Sequence, residues 1–205
     1  IMNHENETEI EAKFFVKDIQ FFENRLLSLG AACTQPRVHE VNLRFDLPDL
    51  SLSQAHRVLR LRQDTRARLT YKGPSQPQQN VSVRQEIEFE VSDLQAARHL
   101  LEALGYQMTV MYEKYRSTYQ LDIVEVALDE MPYGTFIEIE GPDDASIQVA
   151  AAVLRLDWSA RCTESYTSLF NRLRDEQNLK AENLSFEEFR NASYSLEKLG
   201  IKQAD

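Results

Sequence analysis

The feature that most constrains this chain is a set of short segments in which charged and apolar residues alternate. Side chains on a β-strand point to opposite faces with a period of two. Each segment therefore places acids and bases on one face and mostly apolar residues on the other. A sheet face in water does not need so many charges of both signs, whereas a polar tunnel holding a cation and a polyanion does. The segments are Glu9-Ile10-Glu11-Ala12-Lys13, Arg60-Leu61-Arg62, Arg84-Gln85-Glu86-Ile87-Glu88, Lys114-Tyr115-Arg116 and Glu138-Ile139-Glu140.

The order of predicted elements repeats along the chain. Residues 7–16 form a predicted strand, Asp18 is a candidate N-cap, and the helix that follows ends at Gly30. Three extended segments follow, at 37–47, 57–63 and 68–73, before a Pro- and Gln-rich break at 74–80. The same order then recurs: a strand at 81–91, a cap at Asp93, a helix ending at Gly105, and strands at 106–119, 123–129 and 135–141.

Two such halves predict an α+β fold built on eight antiparallel strands and a pseudo-two-fold repeat. Closing the strands into a β-barrel removes exposed edges, with helices packed outside and the charged faces turned inward. Such an interior is stable only if its charges are paired, hydrated or bound to a ligand. We expect one domain over 1–177, with helices at 145–156 and 165–174. A helical tail over 178–205 would follow, including an amphipathic segment at 184–200 that packs as a lid or appendage.

Charge and composition exclude some classes of protein. The formal net charge is −10 over 205 residues, which argues against a general nucleic-acid binder. No apolar run approaches the length of a membrane span, and the N-terminus shows no secretory signal pattern. Cys33 and Cys162 lie far apart and lack metal-ligand spacing. These features predict a cytoplasmic protein; the oligomeric state stays open, with a homodimer as one option.

The paired acids and bases suggest a binding chemistry. Glu9 and Glu11 share a strand face with Lys13, and neighbouring carboxylates repel unless a cation such as Mg²⁺ or Mn²⁺ joins them. Arg60 and Arg62 also share a face, and guanidinium groups bind phosphate oxygens in a bidentate manner. Any one pair has a simpler explanation, as a solvated face or a cross-strand salt bridge. The recurrence of the pattern in both halves favours a ligand site.

The sequence resembles the CYTH family of triphosphate tunnel metalloenzymes, which includes class IV adenylyl cyclases, thiamine triphosphatases and inorganic triphosphatases. The resemblance covers about residues 7–173. At Asn42-Leu43-Arg44-Phe45-Asp46, the family often has an aromatic residue where Arg44 stands. The motifs that carry the resemblance occur in order: Glu9-Ile10-Glu11-Ala12-Lys13, Leu59-Arg60-Leu61-Arg62, Leu69-Thr70-Tyr71-Lys72-Gly73-Pro74, Lys114-Tyr115-Arg116, Leu128-Asp129 and Gly134-Thr135-Phe136-Ile137-Glu138-Ile139-Glu140.

The resemblance implies a role for each tunnel residue. Triphosphate binding falls to Lys13, Arg60, Arg62, Lys72, Lys114 and Arg116. The residues that would bind the divalent metal, Mg²⁺ or Mn²⁺, are Glu9, Glu11, Asp129, Glu138 and Glu140. Arg84, Glu86 and Glu88 match supporting polar positions of the same wall. Glu9, Glu11 and Lys13 are the expected catalytic residues, with Glu9 and Glu11 orienting the attacking water.

The expected activity is metal-dependent hydrolysis of the terminal phosphate of inorganic triphosphate, thiamine triphosphate or a nucleoside triphosphate. One alternative is a class IV adenylate cyclase that converts ATP to cyclic AMP and pyrophosphate. A second alternative, from another class, is a non-catalytic module that binds polyphosphate or nucleotide. In each case the expected partner is a small-molecule triphosphate.

Overall fold

A computed structural model describes residues 8–74, 76–77, 81–162 and 164–205 of the chain. The fold is α+β, and its strands form one antiparallel sheet. Glu7 and most of the predicted break at 74–80 lie outside the described residues. The strands are β1 (Thr8–Val16), β2 (Ala32–Asp46), β3 (Val58–Gln63), β4 (Ala67–Lys72), β5 (Gln76–Pro77), β6 (Ser82–Val91), β7 (Gln107–Leu121), β8 (Val124–Met131), β9 (Gly134–Glu140) and β10 (Arg161–Cys162).

The helices lie between strands and after the last long strand. They are α1 (Ile19–Ser28), α2 (Ser51–Gln54), α3 (Leu94–Ala103), α4 (Asp144–Leu154), α5 (Tyr166–Gln177) and α6 (Phe186–Phe189), with 3₁₀ turns at Trp158–Ala160 and Leu196–Leu199. Both predicted N-caps are confirmed: the Asp18 carboxylate accepts from the Phe21 amide, and that of Asp93 accepts from the amides of Gln95 and Ala96. No helix of the described residues combines the length and apolarity needed to cross a membrane.

Eight long strands close into a barrel in the order β1-β9-β8-β7-β2-β3-β4-β6, and β6 pairs back onto β1. The short strands β5 and β10 add to β6 and β1. The predicted barrel and its pseudo-two-fold repeat are confirmed. The order β1-α1-β2-β3-β4 recurs as β6-α3-β7-β8-β9, and equivalent strands meet where β1 pairs with β6 and β2 pairs with β7.

The outward faces of the strands carry the apolar core. Phe14 and Val16 of β1 and Ile139 of β9 are fully buried with Phe22 and Leu26 of α1. The helix α4 packs on this same cluster, and α3 covers a smaller cluster on β3 and β4. Because the apolar faces are covered from outside, the charged faces of the same strands are left to line the interior.

The helix α5 lies across one end of the barrel and not on its outer wall. Phe15 and Phe136 belong to inward strand faces, and they pack with Tyr166 and Phe170 of α5 in a second apolar cluster. The Tyr166 hydroxyl reaches the interior, where it donates to Asp129 at 2.7 Å. The apolar cluster under α5 therefore meets the charged interior of the barrel at Tyr166.

The predicted amphipathic segment at 184–200 is not one continuous helix, although Phe189 and Leu196 pack in the second apolar cluster. Leu184 is extended, because its amide donates to Met111 on β7 and its carbonyl accepts from the Glu113 amide, both at 3.0 Å. A helix begins only after Ser185, whose hydroxyl caps the Glu188 amide, and α6 spans four residues. Near the end of the described chain, the Ala204 amide donates to the Phe15 carbonyl of β1 at 2.9 Å. The tail is thus fastened to the barrel at β7 and at β1.

Candidate functional site

The inward strand faces surround a cavity of about 810 Å³. This volume is in the upper part of the usual range for small-molecule sites. Nearly all of the site residues predicted from the sequence line it, because each stands at an alternate position of a barrel strand. They are Glu9, Glu11, Lys13, Arg60, Arg62, Lys72, Arg84, Glu86, Glu88, Lys114, Arg116, Glu138 and Glu140.

Glu9 is held by two bases from neighbouring strands. Its carboxylate lies 2.6 Å from the Lys72 ammonium and 2.7 Å from Arg84 Nε. Burial opposes ionisation of Glu9, but the two cations outweigh it and hold the pKa of Glu9 well below its usual range. Lys72 also contacts Glu86 at 2.9 Å, and Arg84 reaches Glu11 at 3.5 Å. Glu9 is therefore an anion fixed in position at neutral pH.

Three carboxylates lie side by side on three neighbouring strands of the barrel. Glu11 of β1 is directly opposite Glu140 of β9, which is directly opposite Glu125 of β8. Burial and then the charges of Glu138 and Glu9 raise the pKa of Glu11. Burial and then the charges of Glu9 and Glu11 raise the pKa of Glu140 to about 7. The three carboxylates repel one another when ionised, and a bound cation would relieve this repulsion.

Lys13 and Arg116 converge on Glu138. The Lys13 ammonium lies 3.2 Å from the Glu138 carboxylate, and Arg116 forms a second ion pair with it. Burial would raise the pKa of Glu138, but Lys13 and Arg116 hold it well below its usual range. Lys13 also lies 4.2 Å above the centre of the Tyr166 ring, which places α5 against the phosphate-binding candidates.

Asp129 differs from the other predicted metal ligands, because it lies behind the cavity wall. Its side chain is fully buried and accepts from Lys114 Nζ at 3.0 Å, from Arg116 Nε and Nη2 at 2.6 Å each, and from Tyr166. These four donors occupy both carboxylate oxygens. The contacts describe an anion that positions Lys114 and Arg116, and the predicted metal-binding role of Asp129 stays a prediction.

The two arginines of β3 have few acceptors. Arg60 Nη2 donates to Thr70 at 3.2 Å and lies 3.5 Å from Glu88, while its Nη1 donates to the Tyr112 hydroxyl at 3.3 Å. Arg62 is 3.7 Å from Glu40. Within the described part of the chain, the buried Nε atoms of Arg60 and Arg62 have no hydrogen-bond acceptor. Buried donors without acceptors are costly, so these arginines are suited to an anionic ligand.

Several interior residues were not predicted from the sequence. Glu40 and Asn42 alternate on β2 in the same way as the predicted pairs, and Glu40 is 1% exposed. That alternation could have identified both. No sequence signal identifies Tyr166 or Glu125, because their positions depend on how α5 and β8 meet the other strands. Arg44, Arg68 and Thr70 also face the interior.

A divalent cation fits the chemistry of this cavity but has no preformed cage. No three of the acidic, histidine or cysteine side chains in residues 8–74, 76–77, 81–162 and 164–205 stand in a ready ligating arrangement. The acids contact bases instead. However, Glu11 and Glu140 are directly opposite on paired strands, and burial together with neighbouring carboxylates raises the pKa of both. Carboxylate oxygens are the ligands that Mg²⁺ and Mn²⁺ prefer. Glu9, Glu11, Glu138 and Glu140 are the residues that could hold such an ion.

Comparison with solved structures identifies the same fold in several organisms. The PH1012 protein from Pyrococcus horikoshii OT3 is 25% identical, with a TM-score of 0.66 over 78% of this chain and 98% of its own. A candidate adenylate cyclase from Vibrio parahaemolyticus is 22% identical, with a TM-score of 0.69 over 80% of this chain and 97% of its own. HpAC1 from Hippeastrum, an adenylyl cyclase candidate described as having a dominant triphosphatase activity, is 16% identical, with a TM-score of 0.61 over 80% and 95%.

The sequence also matches a family profile, although no curated protein matches the chain. The CYTH domain profile matches residues 7–174, which include all ten strands and most of α5. This match covers every motif from Glu9 to Glu140 that lines the cavity. Together with the closed eight-stranded barrel, it shows that the chain belongs to the CYTH domain family.

Proposed function

We propose that this protein is a divalent-metal-dependent triphosphatase that cleaves the terminal phosphate of inorganic triphosphate, thiamine triphosphate or a nucleoside triphosphate. The observation that carries the proposal is the interior of the barrel, where bases and carboxylates from separate strands surround one cavity. Such an interior costs desolvation free energy, because ions removed from water must be compensated by ion pairs, hydrogen bonds or a bound ligand.

Lys13, Arg60, Arg62, Lys72, Lys114 and Arg116 would bind the triphosphate. A triphosphate carries several negative charges, and phosphoryl transfer depends mainly on positioning and electrostatic stabilisation. The bases are already fixed in direction by acids: Glu86 and Glu88 hold Lys72 and Arg60, and Arg84 is held by Glu9. Pre-positioned donors need little rearrangement when charge develops on the phosphoryl oxygens.

Glu9, Glu11, Glu138 and Glu140 would hold Mg²⁺ or Mn²⁺. When bound, the ion supplies charge neutralisation of the phosphoryl oxygens. Glu9 and Glu11 would orient the attacking water through their oxygens, since they are acceptors on the inward face of β1. Lys13, on the same face, would bind an oxygen of the phosphoryl group being transferred.

Adenylate cyclase activity is the second candidate, supported by the names of the Vibrio parahaemolyticus and Hippeastrum structures of the same fold. Cyclisation of ATP would use the same bases and differ in which phosphorus lies beside the nucleophile. The interior charges alone do not distinguish the two reactions, so the products of the reaction must do so.

The test is to incubate the protein with Mg²⁺ or Mn²⁺ and with inorganic triphosphate, thiamine triphosphate or ATP. Released phosphate, pyrophosphate and cyclic AMP are then measured. Phosphate release without cyclic AMP is expected. Formation of cyclic AMP and pyrophosphate would show that the protein is an adenylate cyclase instead. Tight binding of a triphosphate without turnover would show that it is a non-catalytic binding module.

Variants provide the matched control. The double substitution Glu9→Gln and Glu11→Gln should abolish turnover in a protein that still folds, although it should melt at a lower temperature because Lys72 and Arg84 lose their buried anion. Glu130→Gln alters an acid of β8 whose ion pair with Arg37 is exposed, and it should leave turnover unchanged. Equal rates in the double variant and the unmodified protein would refute the assignment of Glu9 and Glu11.

A further inference from the structure

Exposed apolar side chains lie on the outer surface of the second repeat. Phe89 of β6 is 54% exposed, and Leu100 and Leu104 of α3 are 60% and 62% exposed. Leu100 and Leu104 lie one turn apart on the same side of the helix, and Phe89 points outward because its neighbour Glu88 lines the cavity. We call the surface formed by Phe89, Leu100 and Leu104 the α3–β6 face. Apolar groups of this kind on a soluble protein indicate a contact with another molecule.

The pseudo-two-fold repeat shows what the α3–β6 face lacks. In the first repeat, α4 packs against α1, β1 and β9, and Ala12 and Phe14 of β1 are buried. The strands equivalent to β1 and β9 are β6 and β4. Within the part of the chain that the structure describes, no helix is packed on β6 as α4 is packed on β1. Phe89 is therefore exposed at the position where its counterpart Ala12 is covered.

The same comparison places Leu100 beside the uncovered strand. Arg25 and Leu100 each stand seven residues after an equivalent N-cap, Asp18 in one repeat and Asp93 in the other. Arg25 faces α4, because its Nε donates to the Val153 carbonyl at 2.6 Å. Leu100 therefore faces the place in the second repeat that corresponds to that of α4. An apolar helix edge and an apolar strand surface thus border one uncovered groove.

The charges around the groove favour a second copy of this chain as the occupant. With 3.6 residues per turn, Ala96, Leu100 and Ala103 lie on the side of α3 that borders the groove, and all three are exposed. The ion pair of Arg98 with Glu102 lies on the opposite side of the helix. Each copy has a formal net charge of −10, so two copies repel one another in general. A face without charged side chains is where they can approach with little repulsion.

The α3–β6 face is also complementary to itself. It presents an uncovered strand beside an exposed helix edge, so each copy can supply the helix that covers the strand of the other. A two-fold axis through such a face gives an isologous contact that closes at two copies.

We propose that the protein forms a homodimer through the α3–β6 face. The helix α3 of each copy lies beside β6 of the other, in the position that α4 has beside β1 in the first repeat. Phe89, Leu100 and Leu104 then lose their exposure to water on both copies, which stabilises the dimer. The contact is on the outside of the barrel, so this inference does not depend on the reaction proposed for the interior.

The test is light scattering after gel filtration of the full chain, loaded at micromolar to submillimolar concentrations. The unmodified protein should have the mass of a dimer at the upper end of this range. Leu100→Glu places a charge in the apolar contact on both copies and should weaken dimerisation by about tenfold or more. Leu27→Glu makes the same change at an exposed position of α1 whose counterpart on α3 is Glu102, and its dimer should form as in the unmodified protein.

A second variant and a second measurement separate dimerisation from folding. Phe89→Thr keeps a β-branched residue on β6 and should also weaken the dimer. Because both altered side chains are more than half exposed, both variants should keep the far-ultraviolet circular dichroism of the unmodified protein. Hydrogen exchange of the unmodified protein should slow in α3 and β6 as the concentration rises, and stay unchanged in α1.

Three results would each overturn the proposal. One is an unmodified protein that stays monomeric over the whole concentration range. Another is a dimer that folded Leu100→Glu and Phe89→Thr do not weaken, or that Leu27→Glu weakens equally. The third is slower exchange in α1 with none in α3, which would place the contact between copies on the first repeat.

Discussion

Asp129→Asn tests whether the buried anion behind the cavity wall positions the bases of β7. Asp129 is fully buried and accepts from Lys114, Arg116 and Tyr166. Asparagine keeps the shape but removes the charge and turns an amide donor towards these donors. Removing one partner of a buried ion pair costs about 3 to 5 kcal/mol. Glu138 remains in contact with Arg116, so we expect the lower limit, about 3 kcal/mol.

The assay is urea unfolding of both proteins in EDTA, with Glu130→Gln as the control. Glu130 forms an exposed ion pair with Arg37, and its loss should cost less than about 1 kcal/mol. Unfolding of Asp129→Asn at the same urea concentration as the unmodified protein would refute the reasoning. A loss seen only when Mn²⁺ is present would show instead that Asp129 binds metal.

Three further predictions concern residues near the cavity. The raised pKa of Glu140, about 7, means that its carboxylate destabilises the fold increasingly from pH 4.5 to 7. The full shift corresponds to about 3 kcal/mol, but the side chain is partly exposed, so screening reduces this to about 1 kcal/mol. Glu140→Gln in EDTA should therefore be more stable than the unmodified protein at pH 8 and differ little at pH 4; an equal gain at both would contradict this. Gly141→Ala places a Cβ 2.9 Å from Val124 Cγ1 and should cost about 1 to 3 kcal/mol, measured as a lower melting temperature; an unchanged temperature would be the contrary result. Tyr166→Phe removes the hydroxyl that donates to Asp129 at 2.7 Å and should cost about 1.5 to 3 kcal/mol in urea unfolding, whereas no loss would show that this hydroxyl contributes nothing.

The barrel could be predicted because its strands alternate strictly. Charged residues at every second position fixed which face of β1, β3 and β9 turns inward, and the caps Asp18 and Asp93 fixed the helix starts. The start of β2 was missed, since it begins at Ala32 rather than at 37. Irregularities between Cys33 and Gln35 and between Gln35 and Val38 interrupt the pairing with β7 there, so no regular pattern marks the strand.

The sequence predicted which strand residues face the candidate site, but not how far along the tunnel each of them lies. Spacing of two identifies inward residues, so Glu9, Arg60 and Glu138 were found. It does not show how far along the tunnel each residue lies, and Asp129 proves to be enclosed behind Lys114 and Arg116. The contribution of α5 could not be predicted either, because Tyr166 reaches Asp129 only through tertiary packing.

The double pairing of β1 has a consequence for how the molecule folds. Glu11 lies opposite Ser82 on one side and opposite Glu140 on the other, so the first strand must wait for partners made much later in synthesis. Contacts between distant parts of a sequence slow folding. Until β1 has paired with both β6 and β9, the interior charges remain hydrated. The free-energy cost of desolvating these charges therefore belongs to the step that closes the barrel. We expect polyanions and divalent ions to speed this closing step.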